Sequence, residues 1–235
     1  MKTIGLIGGM SWESSLEYYR IINQEVKYQL GGLHSAKSIL YSVDFAEIEA
    51  MQRDGDWELA GKELAKAAQT LEKAGAEILI ICTNTMHKLI DQIQSICQLP
   101  ILHIADATAA VIKKDSLQKI ALLGTKFTME QDFYHQRLSA LHGLEILIPN
   151  TEEREIIHNV IYQELCQGVV KPESKAAYLE IIRNLHNRGA EGVILGCTEI
   201  ELLITPCDVP QLKIYPTTKI HAQAAVNLAL DKEPK

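Results

Sequence analysis

The chain has 235 residues, of which 47% are hydrophobic and 23% are charged, a composition typical of folded globular proteins and not of disordered or repetitive ones. Its formal net charge is −7 and it contains no dense run of Lys or Arg, so we expect no binding to nucleic acid or to an acidic membrane surface. The first apolar run is short and is interrupted by Trp12 and Glu13. It therefore predicts neither a signal peptide nor a membrane span, and we expect a cytoplasmic protein.

Short apolar segments that predict buried strands alternate with segments of helical periodicity. The predicted strands are, in chain order, 3–8, 38–43, 78–82, 101–104, 119–123, 144–148, 192–195 and 213–215. Apolar residues follow helical spacing over 64–74 and 178–185, and 221–230 is predicted to form a last helix that returns to the first half. This alternation predicts an α/β fold with parallel sheets flanked by helices.

Two pairs of segments resemble each other at nearly the same offset along the chain. KAGAEILIICTNT, which ends at Thr85, matches NRGAEGVILGCTE, and KTIGLIGG matches QKIALLGT. Chance similarity between strands rich in Ala, Gly and Ile is one explanation. We favour two pseudo-symmetric α/β domains, the first comprising 1–98 plus 209–235 and the second 99–208.

Both Cys-Thr turns follow predicted parallel strands, and open α/β sheets bind ligands at the carboxyl ends of such strands. We expect the active site in the cleft between the two domains. Aligning the repeats on Gly-Ala-Glu pairs Thr83 with Cys197, whereas a slip of one residue would pair Cys82 with Cys197. Two proton-transferring groups that face each other across a small pocket suit a racemase without a cofactor. Cys197 is the stronger acid–base candidate, since a modest shift of a thiol pKa near ~8.5 gives thiolate near neutral pH.

The remaining cysteines and the histidines indicate no second site. The five cysteines are an odd number without a CxxC pair, which favours free thiols in a reducing compartment. They do not cluster with His as the ligands of a structural metal would. We expect Cys82 to end a core strand, and we expect Cys97, Cys166 and Cys207 to be packing or surface residues. His87 could tune the site, but it is more typical of a core or helix-surface histidine, as is His103.

The motifs GGM, CTNT, GTKFT and GCTE together resemble those of the aspartate/glutamate racemases over nearly the whole chain. The resemblance implies two pseudo-symmetric α/β domains, a homodimer, an acidic amino acid as substrate, and no need for pyridoxal phosphate or metal. The family usually has Cys where this chain has Thr83. The runs GGMSWES, SVDF and GTKFTMEQDFY resemble a subgroup specific for L-aspartate and L-glutamate in which Thr replaces one Cys.

Several residues near these turns are candidates for substrate binding. Asn84, Thr85 and Thr198 would place hydrogen-bonding groups at helix starts, where backbone N–H groups favour carboxylates. Gly8 and Gly9 would let Met10 approach the substrate closely, a plain tight turn being the alternative. By resemblance, Gln52 and Glu164 stand where the family has a basic pair. Glu164 could instead bind a substrate ammonium group, unless it is a solvated helix residue.

Three functions follow from this pattern. The first is a racemase acting on aspartate, glutamate or both, in which Cys197 removes the α-proton and Thr83 lies on the opposite face; by resemblance it favours the L-enantiomer. The second is a relative of the same fold that needs one thiol, such as a maleate isomerase or an arylmalonate decarboxylase. The third is a two-domain protein that binds a small anion without catalysis.

Overall fold

In the computed structural model, which describes residues 1–232, two separate stretches of chain each form a parallel sheet. One compact unit comprises Met1–His103 and the segment from His221, and the other comprises Ile104–Ile220. Helices flank both sheets. The predicted α/β class with two parallel sheets is therefore confirmed.

The first unit is built from three strands and the helices between them. Its elements are β1 (Ile4–Gly8), α1 (Trp12–Leu30), β2 (Ser38–Ser42), α2 (Phe45–Asp54), α3 (Trp57–Lys73), β3 (Ile78–Ile81), a 3₁₀ turn (Thr85–Leu89) and α4 (Ile90–Gln94). The strand order is β2-β1-β3. Alternate side chains enter different cores because strand residues point to opposite faces of the sheet. Leu6 packs beside Tyr18 of α1, whereas Ile7 packs beside Leu64 of α3.

The second unit contains four strands. Its elements are α5 (Ile104–Lys114), β4 (Lys119–Gly124), α6 (Lys126–Glu130), α7 (Asp132–Gln136), a π-helical turn (Arg137–Leu141), β5 (Glu145–Leu147), α8 (Thr151–Gln163), a 3₁₀ turn (Leu165–Gln167), α9 (Pro172–Asn187), β6 (Gly192–Gly196), two 3₁₀ turns (Thr198–Leu202 and Pro206–Asp208) and β7 (Lys213–Pro216). The order is β5-β4-β6-β7. The last helix, α10 (Thr217–Ala229), runs from this unit into the first, where Ala222 and Val226 join the core.

The two sheets repeat one topology. β1 lies between β2 and β3 in the first unit, and β4 lies between β5 and β6 in the second, with every pair parallel. The strands that the sequence repeats match are therefore equivalent in the two sheets. Chance similarity does not account for this correspondence.

Two predicted boundaries differ from the structure. The sequence predicts 209–220 as part of the first domain, but β7 pairs with β6 of the second sheet, Ile214 lying opposite Val193. The predicted strand 101–104 is one bridge, in which Ile101 pairs with Leu79, and α5 already begins at Ile104. The sequence predicts 99–103 as the start of the second domain, but the structure places these residues in the first unit, to whose sheet the bridge joins them. Both errors concern which distant strand a short apolar segment pairs with.

Within residues 1–232, none of the helices has both the length and the apolar character required to cross a membrane.

Candidate active site

The turn after β3 buries its cysteine and leaves its threonine accessible. Cys82 is fully buried in the first core, and its carbonyl accepts a hydrogen bond from Ser14 Oγ at 2.7 Å. Burial raises the pKa of the Cys82 thiol, which is unsuited to proton transfer there. Thr83 is only half-buried. The expectation that Cys82 ends a core strand is confirmed.

His87 reaches back to the Thr83 turn from the next turn of backbone. Its Nδ1 donates to the Thr83 carbonyl oxygen at 2.8 Å. The ring is buried and packs beside His103, with 4.8 Å between ring centroids and an angle of 47° between the ring planes. Burial, and then the proximity of His103, hold the pKa of His87 well below its usual range, so the imidazole is neutral at physiological pH. Both residues are core histidines, as the sequence indicates.

A third buried histidine, His221 of α10, lies 5.5 Å from His87 between ring centroids. Its Nε2 donates to the Leu102 carbonyl oxygen at 2.9 Å, so Nδ1 accepts from the Tyr18 hydroxyl at 2.8 Å. Burial, followed by His87, lowers the pKa of His221 to about 3. We call His87, His103 and His221 the histidine cluster. It lies under the Thr83 turn, and the sequence repeats contain no sign of it.

The turn after β1 is tightly built. Gly9 has φ of +91°, and a Cβ there would lie 2.3 Å from the Val43 carbonyl oxygen, so the position requires glycine. The Gly9 N–H donates to Ser15 Oγ at 2.8 Å, and the Ser11 side chain caps α1 by accepting from the Ser14 N–H. Met10 is 5% exposed, and its side chain packs in the first core.

Other candidates of the first unit lie near the same turn. Asn84 and Thr85 are both buried where the 3₁₀ turn after β3 begins. Gln52 on α2 is buried as well, and its Nε2 donates to Met86 Sδ at 2.9 Å. Met86 of this 3₁₀ turn and Met10 belong to one core cluster of the first unit, and Gln52 contacts Met86, so the candidates share this unit with the Thr83 turn.

The turn after β6 presents a thiol beside a carboxylate. Cys197 is partly buried, and its Sγ donates to Glu199 Oε2 at 3.0 Å. Thr198 Oγ1 donates to the same oxygen at 2.5 Å, and Glu199 is only 6% exposed. Gly196 admits no Cβ, which would lie 2.8 Å from the Leu123 carbonyl oxygen.

Burial, and then the negative charge of Glu199, raise the pKa of Cys197 well above its usual range. The expectation of a thiol ionised near neutral pH is therefore wrong for this arrangement. Glu199 is part of the GCTE motif, but the motif alone does not indicate its contact with Cys197. That contact forms because the 3₁₀ turn brings the carboxylate to the sulfur.

Glu164 is held in place and is not a free surface carboxylate. It follows α8, and its side chain is 15% exposed. Ser174 Oγ donates to Oε2 at 2.6 Å, and Lys171 Nζ lies 3.1 Å from Oε1. These hydrogen bonds, that of Ser174 first, lower the pKa of Glu164 and keep it ionised. The structure places it in the same unit as Cys197 and Thr198.

Among the described residues, 1–232, no three His, Cys, Asp or Glu side chains converge as metal ligands. Cys97 is buried, Cys166 is half-buried and Cys207 is exposed, which agrees with packing and surface roles. The acid–base groups at these turns are the Thr83 hydroxyl in the first unit and, in the second, the Cys197 thiol beside the Glu199 carboxyl group.

Comparison with known proteins fits this arrangement. A protein from Yersinia pestis proposed to be an Asp/Glu racemase is 54% identical, with a TM-score of 0.91 over 98% of this chain and 100% of that one. An aspartate racemase homologue from Pyrococcus horikoshii is 38% identical, with a TM-score of 0.84 over 98% and 100% of the two chains. A glutamate racemase from Staphylococcus epidermidis is 25% identical over 75% of this chain and 68% of its own length. The family model for Asp/Glu/Hydantoin racemase matches residues 7–225. The chain therefore belongs to the Asp/Glu/Hydantoin racemase family.

Proposed function

We propose that this protein is an amino-acid racemase that moves the α-proton of aspartate, glutamate or both with its own side chains. The observation that carries the proposal is the repeated topology, which puts Thr83 after β3 and Cys197 after the equivalent strand β6. Membership of a racemase family supports a shared catalytic role for these two turns. The names of the relatives, glutamate racemase and aspartate racemase homologue, support an acidic substrate.

In this proposal Cys197 removes the α-proton of the L-enantiomer, and Thr83, or a water that it holds, returns a proton to the opposite face. Asn84, Thr85 and Thr198 bind the substrate carboxylates, and the ionised Glu164 binds the ammonium group. Gln52 and Met10 shape the surroundings of Thr83. Donors fixed before the substrate arrives stabilise the negative charge that develops on the substrate.

Further properties belong to the proposal by likeness to the family. By that likeness we infer a cytoplasmic homodimer. We infer that it needs neither pyridoxal phosphate nor metal, because proton transfer by Cys197 and Thr83 requires neither. The two enantiomers have equal free energy in water, so kcat/KM must balance between the two directions. Any preference for L therefore appears in the separate values of kcat and KM.

Chiral chromatography of the product tests the proposal. The purified protein, without added cofactor, should convert L-aspartate or L-glutamate to its D-enantiomer. Cys197→Ser should lose nearly all turnover, and the matched control Cys207→Ser, at an exposed cysteine, should keep it. Activity of Cys197→Ser within a few-fold of the starting protein would contradict the assignment. Substrate binding without conversion by the unaltered protein would instead favour a binding protein.

A further inference from the structure

We propose that Ser14 and His87 are positioning residues that fix the backbone of Thr83, and with it the position from which the Thr83 hydroxyl returns a proton to the substrate. The inference rests on the proposed racemase function, in which Thr83 is one of two proton-transferring groups. It concerns two residues to which that function assigns no task. It follows from hydrogen bonds to two successive carbonyl groups of one turn.

The backbone of this turn lies between two regular elements. A bond from the Cys82 N–H to the Ile7 carbonyl oxygen, at 2.9 Å, continues the ladder between β3 and β1. The 3₁₀ turn that follows contains the bond from the His87 N–H to the Asn84 carbonyl oxygen, at 3.2 Å. Thr83 belongs to neither the strand nor the 3₁₀ turn. Its conformation therefore depends on other contacts, because segments outside regular structure open most easily.

Two side chains supply those contacts. Ser14 Oγ donates to the Cys82 carbonyl oxygen at 2.7 Å, and His87 Nδ1 donates to the Thr83 carbonyl oxygen at 2.8 Å. These carbonyl groups belong to the two peptide groups that flank the Thr83 Cα atom. Because each peptide group is planar, holding the two oxygens restricts both backbone dihedral angles of Thr83.

Helix α1 supports both contacts. Ser14 and Tyr18 are four residues apart, so they lie on one face of this helix, and both are buried. The Tyr18 hydroxyl donates to His221 Nδ1 at 2.8 Å, and the His221 ring lies 5.5 Å from the His87 ring between centroids. The His87 ring is buried and neutral, and its proton is on Nδ1 because the Thr83 carbonyl oxygen can only accept.

Burial along the turn singles out the Thr83 side chain. Within 82–87, Cys82 and residues 84–87 are buried, whereas Thr83 is half-buried. The turn therefore keeps its backbone in the core and leaves accessible the one side chain to which the mechanism assigns proton transfer. A misplacement of ~1 Å at a reacting group can lower a rate by ~100-fold, so weaker support of this turn should reduce proton transfer before it unfolds the protein.

Two reactions of the purified protein separate the two proton transfers. Inversion of L-aspartate or L-glutamate needs removal of the α-proton by Cys197 and return of a proton from the Thr83 side. Loss of HCl from 3-chloro-L-aspartate or 3-chloro-L-glutamate needs only the first transfer. Cys197 takes the α-proton, the C–H electron pair forms a C=C bond, and chloride leaves with the C–Cl electron pair. Chiral chromatography measures inversion, and free chloride measures elimination.

His87→Leu removes the donor to the Thr83 carbonyl oxygen. Inversion should fall at least ~10-fold, whereas elimination from the L-chloro compounds should stay within ~2-fold of normal. His87→Asn is the matched variant, because its amide nitrogen takes the place of Nδ1 on a side chain that branches where Leu does. It should retain several-fold more inversion than His87→Leu. Both variants lose the packing of the ring, so the difference between them reports the hydrogen bond.

Ser14→Ala removes the other hydrogen bond and should likewise lower inversion more than elimination. Its control is Ser95→Ala at the end of α4, which removes a hydroxyl that donates to the Gln92 carbonyl oxygen at 2.7 Å and should change neither rate. If His87→Leu does not fold, Ser14→Ala decides the matter by the same two rates.

Normal inversion in His87→Leu or in Ser14→Ala, or an equal fall of inversion and elimination in these variants, would overturn the positioning role. Absence of inversion in the unaltered protein would refute the racemase function, and this role with it. The two failures are distinguishable, since the first leaves the unaltered protein active.

Discussion

The buried His221 should make the first unit lose stability in mild acid. Its pKa is about 3 in the folded protein and ~6.5 in an unfolded chain. Between these two pKa values the unfolded chain binds a proton at His221 that the folded protein does not bind. The free energy of unfolding therefore keeps its full value above about pH 6.5 and decreases as the pH falls toward 3. At pH 5 the loss from this one side chain is about 2 kcal/mol, from ~1.36 kcal/mol per pKa unit.

Urea unfolding at pH 7 and pH 5, followed by tryptophan fluorescence, measures this loss. The chain has two tryptophans, Trp12 and Trp57, and both lie in the first unit with His221. His221→Gln cannot take up the proton, so its free energy of unfolding should fall between pH 7 and pH 5 by about 2 kcal/mol less than that of the starting protein.

Tyr18→Phe is the matched control, because it removes the hydroxyl that donates to His221 Nδ1 and keeps the histidine. It should lower stability by about 1–3 kcal/mol at pH 7 and retain the additional loss at pH 5. The lowered pKa of His87 acts in the same direction and remains in both variants. An equal loss between pH 7 and pH 5 in His221→Gln and in the starting protein would refute the reasoning.

Three further predictions concern the turns and the chemistry. Gly9→Ala should lower the free energy of unfolding by at least about 2 kcal/mol through backbone strain and a clash. Gly31→Ala, at φ of +75° but with open space around it, should lower it by less. Equal melting temperatures for the two variants would contradict this. Thr83→Cys should speed α-deuterium exchange of D-aspartate or D-glutamate, because a thiol ionises far more readily than a hydroxyl; unchanged or slower exchange from D would argue against Thr83 as the second proton-transferring group. Turnover should survive a chelator and carbonyl reagents, and loss to chelation that zinc restores would show that a metal takes part.

The sequence predicts the class of fold because both sheets bury apolar strands on two faces. Such strands appear in the sequence as continuous apolar runs. The glycines Gly8 and Gly196, which lie in the repeated segments, indicate where two of these strands end. The boundary error at 209–220 has a physical cause. A strand as short as β7 carries no local sign of which sheet it joins, and its pairing with β6 depends on contacts distant in sequence.

Some features of the candidate site can likewise be predicted from local motifs, whereas others depend on contacts that the motifs do not show. Motifs single out Thr83 and Cys197 as candidates because each lies within two residues of the end of a buried strand. They do not reveal the Glu199 contact, which depends on the conformation of one 3₁₀ turn, or the histidine cluster, which joins side chains from three distant parts of the chain. Nor do they give the direction of the Cys197 pKa, since burial and a neighbouring carboxylate outweigh the modest shift expected from the thiol alone.

Proton NMR of each enantiomer of aspartate and glutamate, in deuterated water with the purified protein and no cofactor, tests racemisation most directly. We expect loss of the α-proton signal of the L-enantiomer of at least one of the acids, slower loss from the corresponding D-enantiomer, and no loss with Cys197→Ser. Persistence of the α-proton signal for all four compounds, or exchange that continues undiminished in Cys197→Ser, would contradict it.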